Sequence, residues 1–192
     1  MFDHPEALVG SLPSRLQPPR LSFPGWKVAD AGTHKTPYHL VWDVFDHCKV
    51  HSVVHSFLSN HHFSMERRPT HFSFTKVAVG TLVPSGKATR HEINMHGLHH
   101  HLHPCSIEAV LQFCRQHWHD LGDLGEAAIF ATEDAFEMVL KKRPPSERES
   151  IEIPRFLIGL SRTANGSRQI MPYEGSSEYR YKDFTEVIFL SP

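Results

Sequence analysis

The chain has 192 residues, 40% hydrophobic and 21% charged, with a formal net charge of −1 when its 17 histidines are neutral. That length suits one decorated domain, or one small domain with extensions, and the composition supports a packed core. No apolar run approaches the roughly 18 residues needed to cross a bilayer, which argues against a membrane span, and there is no general basic excess of the kind that grips nucleic acid by charge alone.

Histidine is the compositional outlier, and since an unperturbed imidazole titrates at about pH 6.5 the set makes the net charge pH-dependent. Cys48, Cys105 and Cys114 are an odd number without Cys-x-x-Cys spacing, which favours free thiols in a reducing, intracellular setting over a disulfide framework. The first 25 residues lack an apolar h-region and mix Asp3 and Glu6 with Arg15 and Arg20. They resemble neither a secretory signal nor a transit peptide. Cytosol, nucleus and organelle all stay open.

In chain order, residues 1–33 carry Pro5, Pro13, Pro18, Pro19 and Pro24 among Leu8, Leu12, Leu16, Leu21, Phe23 and Trp26, without a usable period. The segment reads as an extended arm or a disordered tail. In an arm, exposed apolar side chains forgo about 1.5 to 3 kcal/mol each relative to burial, so Leu8, Leu12, Phe23 and Trp26 are candidate anchors on a partner.

Residues 34–90 read as a helix followed by strands. Thr36-Pro37 is a helix start, since a hydroxyl caps orphan amides and proline loses nothing at the first position. The spacing predicts a helix over 37–59, with Val41, Val44, Phe45, Cys48, Val53, Val54, Phe57 and Leu58 inward. His39, Asp43, His47, His51 and His55 form a polar face. Two histidines of the His47, His51 and His55 series could share a metal, with Asp43 orienting one, although the polar face of an amphipathic helix explains all five positions without further assumptions. Strands over 70–83 and 88–95 join through Val83-Pro84-Ser85-Gly86-Lys87.

Residues 91–160 order as β-α-(β)-β-α-β, the split arrangement of ferredoxin-like domains. Its parts are a strand at Ile93 to Leu98, a helix over 106–120 capped by Ser106, and a strand at Leu124 to Ala131. A helix over 133–142 capped by Thr132 and stopped by Pro144-Pro145 follows, then a strand at Ile151 to Leu160. The stretch Asp120 to Asp123 leaves little room for the second strand. Residues 161–192 are a C-terminal β extension with a hairpin turn at Asn165-Gly166 and a last strand at Phe184 to Leu190. The expected class is therefore α+β: a ferredoxin-like βαββαβ core with an N-terminal helix and β extensions.

On these residues 91–160 resemble an RNA-recognition motif domain. Ile93 to Leu98 sits like its six-residue first-strand motif and Leu124 to Ala131 like its eight-residue third-strand motif. Thr132 to Leu140 is similar to its second helix, with Ala135, Val139 and Leu140 toward the sheet. That family stacks bases on aromatic side chains of an open sheet face. The corresponding positions here are Asn94, Glu126 and Ala128, with Leu124 where a basic residue is usual, and each missing base stack forfeits about 1 to 3 kcal/mol. The resemblance then implies a sheet that is covered or contacts protein, with RNA reached through loops and edges. The candidates for that role are Arg90, His96, Arg155, Arg162, Arg168, Arg180 and Lys182.

His96 to Pro104 is the densest ligand-capable stretch. His101 and His103 could point the same way, with His91, Glu92 or Cys105 as further ligands, but the spacing singles out none of them. A solvated or partner-contacting loop is the other reading. His34-Lys35-Thr36 and His71-Phe72-Ser73 are similar to the paired motifs of two-histidine phosphoesterases, and Cys105 precedes a helix start that favours a thiolate. No P-loop, dinucleotide fingerprint, nucleophile elbow or His-Glu-x-x-His motif occurs. The reading is a non-catalytic subunit of a ribonucleoprotein assembly that docks through its arms and its RNA-recognition-like domain. Its partners are other protein subunits and RNA, and no cofactor, metal or catalytic residue is assigned. The competing reading is a histidine-dependent hydrolase or nuclease, metal-assisted or not, using His99, His101 and His103.

Overall fold

The computed structural model describes residues 21–33, 36–119, 127–137, 155–162 and 166–192. Expectations resting on Leu8, Leu12, His34, Leu124, Glu126, Val139, Leu140, Pro144-Pro145 and Asn165 lie outside these residues. The elements are β1 (Lys27–Ala31), α1 (Pro37–His47), α2 (Ser52–Asn60), β2 (Thr70–Ala78), α3 (Val79–Leu82), β3 (Lys87–Thr89) and α4 (Arg90–His99). They continue with α5 (Ile107–His117), β4 (Ala127–Phe130), β5 (Phe136–Glu137), β6 (Arg155–Arg162), β7 (Arg168–Glu174), β8 (Arg180–Lys182) and β9 (Glu186–Ser191). The chain is α+β, as expected.

One mixed sheet organises the fold. Its order runs β1-β2-β9-β4-β6, with β7 along the far edge of β6. The pairs are antiparallel except for β4 beside β9. β4 and β5 lie end to end on one edge of β6, through Ala127↔Ser161 and then Phe136↔Phe156. A separate two-stranded ribbon joins β3 to β8.

Both faces of the sheet are covered, which is why its inner strands read as continuous apolar runs. Along β9, Ile188 joins a core with α1, α2 and α5, whereas Val187 and Phe189 join a second core under α3, α4 and the ribbon. β6 divides the same way, with Phe156, Ile158 and Leu160 on the first face and Leu157 on the second. The C-terminal segment is thus no outer extension, because its last strand sits in the middle of the sheet.

Several expectations change. The helix over 37–59 is two helices, because Lys49 to His51 leave the helical path to bond the outer edge of β7. The Ile170 amide donates to the Lys49 carbonyl at 2.8 Å, and the His51 amide to the Ile170 carbonyl at 2.9 Å. His51 restarts the helix as its N-cap, its Nδ1 accepting from the Val53 amide at 3.2 Å, so His39, Asp43, His47, His51 and His55 share no single face.

The strand expected to run from 70 to 83 ends at Ala78, and Ile93 to Leu98, the supposed first-strand motif, is helical. Its helix α4 is nucleated by a capping box: Thr89 Oγ1 accepts the Glu92 amide at 3.3 Å, and Glu92 Oε2 accepts the Thr89 amide at 2.8 Å. Finally, Phe136 and Glu137 are strand, paired to β6, where a helix starting at 133 was expected. Arm residues 27–31 form the edge strand β1.

Candidate nucleic-acid interface

The ribbon is short, and its two faces differ sharply. In register, Lys87 faces Lys182, Ala88 faces Tyr181 and Thr89 faces Arg180. Ala88 and Tyr181 turn inward and are buried, so period two sends Lys87, Arg180 and Lys182 outward, where all three are exposed. Like charges placed directly across an antiparallel pair repel, so the Lys87 and Lys182 pair is a standing positive locus. Arg180 extends it, with Nη1 at 3.2 Å from Glu92 Oε2 and 3.5 Å from the Lys87 carbonyl. Arg90 starts α4 beside the ribbon and donates through Nη1 to the Glu133 carbonyl.

Glu92 is part of this locus. Its carboxyl is held below the usual range first by the backbone and side-chain hydrogen bonds from Thr89, then by the nearby Arg180 and His96 charges.

Aromatic rings interleave with these cations. Tyr179 is 44% and Phe184 71% exposed, and the Lys182 ammonium lies 5.5 Å from the Phe184 ring centroid. Tyr179 meets Tyr181 edge-on at 4.9 Å. Between the ribbon and the second face of the sheet runs a cleft of about 530 Å³ whose lining includes Ala127, Ile129, Tyr173, Tyr181 and Phe184.

Tyr173 lies across β6 because residue 159 is glycine: a Cβ there would meet the Tyr173 ring at 2.7 Å. Both inner phenols are committed, Tyr173 donating to the Leu160 carbonyl at 3.2 Å and Tyr181 to the Glu174 carbonyl. Burial pushes both phenols above their ordinary pKa, so they stay neutral.

Of the residues expected at an RNA edge, Arg90, Arg180 and Lys182 come together here. His96 is half-buried on α4, one turn beyond Glu92. Arg155 is exposed at the start of β6, its carbonyl taking the Gly175 amide at 3.0 Å. Arg162 and Arg168 pair at the opposite end of β6 and β7, where Arg168 Nη1 donates to the Trp118 carbonyl at 2.7 Å. Arg168 thus serves the C-terminal end of α5, and neither residue is part of the ribbon.

Sequence reasoning passed over Lys87, treating it as turn chemistry, and passed over Tyr179 and Phe184. The available signal was the alternation Tyr179-Arg180-Tyr181-Lys182-Asp183-Phe184 of aromatic and charged residues.

The expected anchors Phe23 and Trp26 are half-buried on their own chain. Phe23 meets His100 edge-on at 5.7 Å, and Trp26 lies 5.3 Å from Phe113 with the Lys76 ammonium 4.9 Å from its ring. A second aromatic surface lies on α1, where Tyr38, 66% exposed, and Trp42, 45% exposed, stand 5.8 Å apart beside a groove that reaches His61, His62 and Phe63.

The histidine-rich stretch disperses. His99 lies in the last turn of α4, His101 takes a positive φ of 63°, and His103 exchanges backbone hydrogen bonds of 2.8 Å with Leu190. Among the described residues no group of three or more His, Cys, Asp or Glu is placed to hold a metal. His71 Nδ1 pairs with Asp30 Oδ1 at 2.7 Å on the exposed side of β1 and β2.

Cys105 does not gain thiolate character from the helix that follows, because burial raises its pKa and its Sγ donates to the Ile188 carbonyl at 3.5 Å. No described helix is long and apolar enough to cross a membrane. Comparison with known proteins finds no matching family model, no similar curated protein and no similar solved structure.

Proposed function

We propose that the chain is a non-catalytic subunit of an intracellular ribonucleoprotein assembly, and that the β3–β8 ribbon is its contact with RNA. The observation carrying this reading is the Lys87 and Lys182 pair, directly opposed and exposed, with Arg180 beside it and Tyr179 and Phe184 at its ends. A phosphate backbone neutralises the repulsion, releases counterions and makes the affinity fall with salt. Helices and the ribbon lie over the faces of the sheet, so the ribbon, with the cleft between it and the sheet, is the proposed contact in place of an open sheet surface. Tyr38 and Trp42 on α1 are the proposed protein-docking surface, being aromatic, exposed and remote in sequence from the ribbon.

The test is fluorescence anisotropy of a labelled RNA over a salt series, comparing the native chain with Lys87→Ala/Arg180→Ala/Lys182→Ala. Removing one cation from a single-strand phosphate lowers the log–log salt slope by about 0.7, so the variant should bind more weakly with a shallower slope. Equal affinity and slope for the two proteins would dismiss the ribbon as the RNA-binding element.

A further inference from the structure

We infer that the ribbon site is selective for single-stranded RNA and holds one unpaired base in the cleft behind it, with the flanking phosphates on Lys87 and Lys182. This rests on the ribbon being the RNA contact. Three features of the cleft carry it.

Its lining includes apolar groups and rings, Ala127 and Ile129 with Tyr173, Tyr181 and Phe184, about 530 Å³ in all, which suits a flat heterocycle. Its inner phenols are already spent on the Leu160 and Glu174 carbonyls, so the half-buried Tyr173 offers ring surface more than a hydrogen bond, and the buried Tyr181 forms the cleft's wall. Recognition by ring surface tolerates any base, because every base has a π-face. Its rim carries both signs of charge: Lys182 belongs to the lining with Lys87 as its cross-strand neighbour, Glu186 Oε1 pairs with Lys76 Nζ at 3.1 Å, and Glu174 Oε1 accepts the Ser176 amide at 2.9 Å, so phosphate is drawn to the lysine side of the opening. A paired, stacked base cannot enter such a cleft without first leaving its helix, so duplex RNA is left with the lysine contacts alone. Phe184 and Tyr179, both exposed, are the rings against which an entering base stacks first.

The experiment uses the full chain and three RNAs: a single strand, the duplex of the same sequence, and the same strand with abasic positions. The native protein should bind the single strand on the order of tenfold more tightly than either of the others, the size of one base stack. Phe184→Ala and Tyr179→Ala should each lower single-strand affinity by a similar factor and leave duplex affinity unchanged, while Lys87→Ala/Lys182→Ala should weaken all three complexes. Salt-dependent binding that is equal for the three RNAs, or that ignores Phe184→Ala, would overturn the base-in-cleft inference and leave the ribbon reading standing. Absence of binding to any of the RNAs by the native chain would overturn both.

Discussion

The side-chain amide of Gln116 on α5 pairs with both backbone groups of Asp30 on β1, Oε1 accepting the Asp30 amide at 2.8 Å and Nε2 donating to the Asp30 carbonyl at 2.7 Å. β1 is an outer strand of the sheet, and an outer strand presents unpaired backbone groups to any passing chain. α5 answers this with a polar stripe at four-residue spacing. Glu108, 2% exposed, accepts the Glu66 amide at 2.6 Å and the Gly32 amide at 3.5 Å, and Gln112 accepts from Gln116 at 3.1 Å. His117 Nε2 stands 2.8 Å from the Val28 carbonyl. On its other side the same helix gives Val110, Phe113 and Cys114 to the core. One helix therefore packs the first face and caps the sheet's edge.

Gln116→Leu keeps the bulk of the side chain and removes both hydrogen bonds to Asp30. At about 0.5 to 1.5 kcal/mol net per bond, losing these two bonds and the one to Gln112 should cost about 1.5 to 4.5 kcal/mol in urea unfolding, and the Asp30 amide should exchange faster with solvent. Unchanged stability together with unchanged exchange at Asp30 would show that the edge is held by other means.

The capping box at α4 makes part of the stability depend on pH. The Glu92 carboxyl titrates below its ordinary value of 4.5, chiefly because of Thr89. A depressed carboxyl contributes stability that is fully present above its unfolded value and is lost as pH falls through the folded value. The stability difference between the native chain and Glu92→Gln should therefore be constant from neutral pH down to that ordinary value and shrink below it. Thr89→Ala removes the cap itself, should cost about 1 kcal/mol, and should return the Glu92 titration, followed by NMR, toward its ordinary position. A Glu92 titration indifferent to Thr89→Ala would contradict the box.

The three thiols should be silent in the folded protein. Burial, followed by the Asp43 charge, pushes Cys48 up to about 12, and burial likewise raises Cys105 and Cys114. Since the thiolate is the reactive form, an aromatic disulfide reagent at mildly alkaline pH should label none of them quickly and should label all three once denaturant is added. Fast labelling of one thiol in the native protein would show that it reaches solvent without unfolding.

How much of this was legible in the sequence depended on whether the cause was local. α5 was, because Ser106 caps it, with Oγ accepting the Ala109 amide at 3.2 Å, and its apolar residues keep helical spacing. β6 and β9 were also legible, since strands buried on both faces are nearly pure apolar runs. α4 was not. Ile93 and Met95 alternate as in a strand, and the helix buries Asn94 and Gly97 for reasons that lie elsewhere in the chain: Asn94 Nδ2 donates to the Thr132 carbonyl at 2.8 Å, and Gly97 meets β9. The break after α1 has the same origin, since it exists to serve the edge of β7. At the site, Arg90, Arg180 and Lys182 could be named from charge, but their meeting with Lys87 is a matter of strand pairing across most of the chain.

Gly97 is the sharpest test of the packing between α4 and the sheet. In an exposed helix interior, glycine to alanine stabilises by about 0.5 to 1 kcal/mol. Here a Cβ at 97 would lie 2.7 Å from Cε1 and 3.0 Å from Cζ of Phe189, a ring with no solvent exposure. Overpacking of this kind costs about 1 to 3 kcal/mol, so Gly97→Ala should lower stability in spite of its better helix propensity. Phe189→Leu should be destabilising alone but should relieve the clash, making the double variant less unstable than the sum of the single losses, with a coupling of about 0.5 to 3 kcal/mol between residues in contact. A Gly97→Ala protein more stable than the native one would mean that α4 does not sit this close to β9, and would remove the helix from the layer that supports the ribbon.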